Sequence, residues 1–163
     1  MLEHFGLWLN TTKLSWFVTY YPWVWPTCET LHFIGLAMLV GTVGALDLRM
    51  LGIAKGLPVG PMHRLIRWGI AGFIINFLTG VLFFAGTPYQ YIGNIGFYLK
   101  MLLIVLAGLN VLAFYLTVYA QVERLEPGQD APLAAKVIAG ISLVLWLGVI
   151  YFGRMLPYFG NSF

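Results

Sequence analysis

The chain has 163 residues, 60% of them hydrophobic and only 9% charged, with a mean hydropathy of +0.84. Soluble domains carry roughly a quarter charged residues, so this composition cannot dress a water-facing surface and predicts an integral membrane protein of one domain. The net charge of +3 comes without a basic tract interleaved with aromatics, which argues against nucleic acid as a partner, and the lone Cys28 excludes an internal disulfide or a cysteine-based zinc cluster.

The first residues, interrupted by Glu3, His4 and Lys13, lack the basic region and cleavage site of a signal peptide. Residues 2–19, rich in Trp and Phe, read as an amphipathic helix lying in the membrane interface, so 1–26 form an interfacial segment and 27–163 the transmembrane domain. Spanning the hydrocarbon takes about 20 apolar residues. Four stretches qualify, at about 27–51, 62–85, 94–122 and 132–156. Pro26 fits the opening of the first helix, and Trp23 and Trp25 fit an interfacial aromatic belt. The connections "GIAKGLPVGP", "GTPYQYIGN" and "EPGQDAP" are short and made of turn residues. Short loops make consecutive helices antiparallel neighbours, which predicts an all-α, up-down four-helix bundle.

Basic residues set the expected orientation. The end reached by the first and third connections carries Arg49, Lys55, Arg64, Arg67, Arg124 and Lys136, against Lys13, Lys100 and Arg154 at the other. The first end is expected in the cytoplasm. Both termini then face the periplasm of a bacterial inner membrane.

Ionisable groups inside a span mark functional sites by default. At 1.5 Å of rise per residue, His32 and Lys100 lie at similar depth near the periplasmic end, with Arg154 nearer the surface. His63 opens the second span at the opposite end. The 19 residues from His32 to Leu51 alone cover about 28 Å, so the two histidines cannot hold one small ligand. For His32 two readings stand: a hydrogen bond to a neighbouring helix or to Glu29, or ligation of haem or a metal. Lys100 reads as a snorkelling lysine or as a partner of a bound group. Arg154 reads as an interfacial anchor or as a contact to an anionic ligand. His63, among cationic neighbours, reads as an anchor to anionic lipid, with a second ligand site as the alternative. Gly35, one turn beyond His32, leaves room for something flat beside the ring.

Gly69, Gly72, Asn76, Thr79, Gly80 and Phe83 form a stripe of mostly small or polar residues at helical period, and Ala37, Gly41 and Ala45 a second small-residue series. Asn76 and Asn110 are expected to bond across helices. Arg49 is expected to meet Glu123, or Asp47 to meet Arg67, as an ion pair at the bundle end. No phosphate loop, zinc-protease motif, nucleophile elbow or intramembrane carboxylate pair is present.

"TLHFIGLAMLVGTVGALDLRMLG", "RLIRWGIAGFIINFLTGVLFF" and "FYLKMLLIVLAGLN" together resemble a bacterial family of small four-helix membrane proteins. More distantly the chain is similar to HemJ-type protoporphyrinogen oxidases and to the CopD membrane domain. The similarity covers roughly residues 29–115. The HemJ-type resemblance implies haem b, with His32 in the place of the ligand histidine, Arg64 and Arg67 in that of the basic pair, and Lys100 in that of a lysine important for activity. The N-terminal segment is additional, and "YFGRMLPYF" does not match the family's C-terminal signature. Haem binding therefore carries over better than enzymatic activity, since it needs only the ligand and a pocket.

The expectation is a haem b protein for electron transfer or for oxidation of a lipophilic substrate such as a quinol or porphyrinogen. His32 would be the iron ligand, Gly35, Lys100 and Arg154 would border the cofactor, and His63 would be a second candidate ligand. Lys100 and Arg154 would steady the propionates. The alternatives are a cofactor-free accessory subunit and a CopD-like metal-handling protein. Besides the lipid bilayer, a second copy or a larger membrane complex is the expected partner.

Overall fold

A computed structural model describes residues 2–53 and 55–159, which are all-helical with no strand among them. Helices α1 (Leu2–Asn10) and α2 (Lys13–Tyr20) meet at Thr12, whose hydroxyl caps α2 by accepting the Ser15 N–H at 3.2 Å. Helix α3 (Val24–Leu51) begins a few residues before the expected boundary and ends at Gly52, where φ is +93° and a side chain would be strained. Helices α4 (Val59–His63) and α5 (Ile66–Gly86) follow one line broken at residues 64–65. The Asn94 carboxamide then accepts the Gly96 N–H at 2.9 Å and starts α6 (Ile95–Thr117). The third helix is shorter than expected, because the chain breaks at Val118 before the single turn α7 (Tyr119–Val122). Helix α8 (Leu133–Phe159) completes the chain.

Four stretches, 24–51, 59–86, 95–117 and 133–159, are long and apolar enough to cross a membrane. Their outward faces agree: Phe33, Val144 and Leu116 are 67%, 70% and 75% exposed. A surface this apolar is suited to hydrocarbon rather than water.

Cross-helix contacts show that every packed pair is antiparallel. Helix α3 lies on α5 through His32–Thr79, Gly35–Gly72 and Thr42–Gly69. It lies on α8 through Leu39–Trp146 and Gly44–Leu143. Helix α6 lies on α8 through Gly96–Phe159, Leu103–Gly148 and Asn110–Ile138. The packing order is α5, α3, α8, α6.

One side of the expected bundle is missing. Consecutive helices α5 and α6 do not pack along their lengths. They meet near one end, at Phe84–Phe97 with ring centres 5.8 Å apart, and at the other end His63 of α4 reaches Tyr115 of α6 with a 2.9 Å hydrogen bond. The physical reason lies in the small residues, which decide where backbones approach. Gly69 and Gly72 of α5 face α3, while Gly96 of α6 faces Phe159 of α8. Loop length alone does not choose the neighbour.

Helix α2 is seated on the bundle end. Val18 packs with Val24, Cys28, Leu82 and Phe83, and a Cβ on Gly86 would stand 2.8 Å from Val18.

The closest helix contact yields a test. A Cβ at Gly35 would lie 2.6 Å from Asn76 Nδ2 and 2.8 Å from the Gly72 carbonyl oxygen, whereas one at Gly41 would meet nothing within 4 Å. Gly35→Ala is expected to cost about 1–3 kcal/mol through overpacking, and Gly41→Ala to be neutral or slightly stabilising. Thermal unfolding in detergent distinguishes them; equal effects would contradict the packing.

Candidate functional site

His32 sits in the third turn of α3, half-buried. Its Nδ1 is 2.7 Å from Thr79 Oγ1 on α5. The same hydroxyl is 2.7 Å from the Ile75 carbonyl and 3.2 Å from the Asn76 carbonyl. Both carbonyls only accept, and a threonine proton directed to either leaves Oγ1 free to accept from the ring. In that arrangement Nδ1 carries the ring proton and the Nε2 lone pair is open. Nε2 makes no hydrogen bond among the described residues. Phe83 covers the ring at 5.6 Å between centres. Glu29 is exposed and accepts a 3.1 Å bond from Trp25 Nε1, so it is not the ring's partner.

Lys100 of α6, half-buried, turns toward α8 at this level. Its Nζ is 3.5 Å from where a Cβ on Gly153 of α8 would stand. Pro157, four residues on, has no N–H to give the Gly153 carbonyl. The Lys100 ammonium makes no ion pair or side-chain hydrogen bond among the described residues. All four long helices thus contribute at one level: His32, Thr79, Lys100 and Gly153. The counted depth of His32 and Lys100 agrees with this placement. Arg154 is exposed and stands outside this interior.

Gly35 does something other than expected. The space beside it is filled by the Gly72 backbone and the Asn76 carboxamide of α5. Asn76 itself bonds within its helix, to the Gly72 carbonyl at 2.9 Å, whereas Asn110 reaches across to the Ile138 carbonyl at 3.1 Å.

The opposite, loop-bearing end is held by Arg49. Its side chain is wholly buried and donates to three backbone carbonyls: Leu57 at 2.6 Å, Glu126 at 3.3 Å and Gln129 at 3.3 Å. The expected ion pairs with Glu123 and between Asp47 and Arg67 do not form. A guanidinium presents donors in several directions at once, and loop carbonyls supply the acceptors. Asp47 lies beside Ser142 of α8, and its Oδ2, like Trp146 Nε1, is buried without a partner. At the surface Asp130 pairs with Lys55 at 3.1 Å and Lys136 at 2.9 Å, hydrogen bonds that hold its carboxyl below the usual range. His63 Nε2 is 2.9 Å from the Tyr115 hydroxyl, and its ring lies 4.9 Å from that of Tyr119.

Among the described residues no group of three or more His, Cys, Asp or Glu side chains gathers as a metal site. No protein-family model, curated protein or solved structure matches the chain.

Sequence reasoning placed Thr79 in the small-and-polar stripe without assigning it as the partner of His32. The signal was its helical phase with Gly72. The clamping role of Arg49 had no sequence signal, because its acceptors are backbone atoms.

Arg49→Met removes the donor from three carbonyls, and a stability loss of roughly 3 kcal/mol or more is expected, with Arg49→Lys restoring part of it. Limited proteolysis of the loops and thermal unfolding check this. An unchanged melt would show the carbonyls satisfied otherwise.

The Asp130 carboxyl is ionised more readily when folded, so its contribution is present above about pH 4 and is lost as pH falls through the depressed folded value. Asp130→Asn should lower the unfolding midpoint slightly at neutral pH and not at all in strong acid. A difference that grows on acidification would contradict the ion pairs.

Proposed function

We propose that the chain is a membrane-embedded b-type haem protein, with His32 Nε2 as the iron ligand. The carrying observation is the 2.7 Å contact between Nδ1 and Thr79 Oγ1, whose hydroxyl also lies 2.7 Å from the Ile75 carbonyl; with Nδ1 donating, the ring is oriented and the opposite nitrogen is open. Histidine ligands of metals are held in this way, by a hydrogen bond from the second ring nitrogen. An imidazole nitrogen is a donor that haem iron takes, which supports the reading, while the Gly35 side does not supply the room. A flat group would instead approach from the Nε2 side, and the unpacked α5–α6 side offers an entrance from lipid.

Bound there, haem would supply one-electron chemistry for electron transfer or for oxidation of a quinol-like or porphyrinogen-like molecule. Thr79 would fix the ring and its tautomer. Lys100, which lacks a carboxylate partner, would hold a propionate; exposed Arg154 would serve as an interfacial anchor. The bundle would lie in a bacterial inner membrane. Its loop-bearing end, with Arg49, Lys55, Arg64, Arg67, Arg124 and Lys136, would face the cytoplasm. Helices α1 and α2 would lie along the periplasmic interface. A second copy or partner subunit would fit the outward groove of about 520 Å³ lined by Ala37, Met38, Gly41, Thr42, Leu65 and Trp68.

A second reading is a cofactor-free accessory subunit. The close α3–α5 seam favours it, since His32 then bonds Thr79 as one more interhelical tie.

Protein purified from haem-supplied cells is expected to be red, with a Soret band that His32→Ala abolishes. Thr79→Val should keep the band and lower haem affinity by about 10- to 100-fold. A colourless, folded wild type would remove the haem reading and leave the accessory one.

A further inference from the structure

The end of the bundle far from His32 carries a groove that the haem reading does not use. It occupies about 410 Å³ and is lined by His63, Arg64, Ile66, Arg67, Ile70 and Tyr115. The lining is graded. Arg64 and Arg67 stand exposed at the rim, and neither makes an ion pair or a side-chain hydrogen bond among the described residues. Of the acidic side chains near this end, Asp130 pairs with Lys55 and Lys136, Asp47 is buried beside Ser142 of α8, and none of them, Glu123 and Glu126 included, forms an ion pair with Arg64 or Arg67 among the described residues. His63 and Tyr115 are bonded to each other and form a polar wall bridging to α6. Ile66 lies between the arginines, and Ile70, one turn on, continues the apolar lining along α5. That direction runs into the side where α5 and α6 are not packed together.

We infer that this groove is a binding site for one anionic phospholipid. Its phosphate is held between the Arg64 and Arg67 guanidiniums, and an acyl chain lies along Ile66 and Ile70. The charge argues for an anion: two guanidiniums without a carboxylate favour phosphate, which they engage through paired N–H donors. The apolar continuation argues for a lipid over a free phosphate, which would leave the isoleucines unused. The placement argues likewise, because the arginines stand where a spanning helix begins, at headgroup depth. The lipid would complete the wall that two consecutive helices leave open, and it would tie α5 to α6 below the His63–Tyr115 bond. The inference does not depend on haem.

The test uses the whole protein, purified in mild detergent and placed in nanodiscs of neutral phosphatidylcholine, with or without phosphatidylglycerol. Native mass spectrometry counts retained lipid, and thermal unfolding reports its effect. Wild type is expected to retain one phosphatidylglycerol in preference to phosphatidylcholine and to melt higher when it is present. Arg64→Gln with Arg67→Gln should lower retention by about tenfold or more and abolish the rise in melting temperature. Arg67→Gln alone should lower retention partially, keeping the test open if the double variant folds poorly. Arg124→Gln, outside the groove, should change neither. Equal retention of phosphatidylcholine, or equal loss in the Arg124 variant, would overturn the inference. So would full stabilisation by inorganic phosphate alone, which would make this an anion site without a lipid.

Discussion

At Gly35 and Gly72 the backbones of α3 and α5 come so close that neither position has room for a Cβ: one on Gly72 would stand 2.5 Å from the Gly35 carbonyl oxygen. Within lipid, helices gain little from burying apolar surface, so such backbone approaches and the contacts around them decide which helices associate. This seam sets the level of the groups beside it. It brings Thr79 within 2.7 Å of His32 and puts the Asn76 carboxamide against Gly35. With α3 committed to α5 on one face and to α8 on another, α6 packs along its length chiefly on α8, and the α5–α6 side stays open between its ends.

Polar groups in this interior fall into two kinds. Arg49 and Asn110 are satisfied by backbone carbonyls, and they hold loops and helices in place. Removing an interior group from water is costly unless it is hydrogen-bonded, and these two meet that requirement. His32 Nε2 and Lys100 Nζ, from different helices at one level, make no hydrogen bond among the described residues, while Asp47 Oδ2 and Trp146 Nε1 are buried without a partner elsewhere in the bundle. What separates the His32 end is that an imidazole and an ammonium inside two spans share one depth.

Several parts of this arrangement were legible from residue order alone. Four apolar runs located the long helices, because hydrocarbon thickness imposes a length that few other constraints imitate. Counting rise per residue placed His32 and Lys100 together, since depth along antiparallel helices is nearly one-dimensional. The neighbour of each helix was not legible from loop length. A stripe of small residues shows that a close approach exists, but it does not say which helix approaches. Gly35 illustrates the same ambiguity: a missing Cβ reads equally as space for a cofactor or as space for Gly72. Arg49 was expected to find a carboxylate and found the carbonyls of Leu57, Glu126 and Gln129, acceptors that every residue carries and no composition reveals.

The account rests on the protonation pattern of one imidazole. Nitrogen NMR of ring-labelled histidine in haem-free protein, reconstituted in bilayers at neutral pH and assigned by comparison with His32→Ala, reads it directly. The account predicts a neutral ring protonated at Nδ1 and bare at Nε2, changing when Thr79 is replaced by Val. A ring protonated at Nε2, or one indifferent to Thr79, would contradict it.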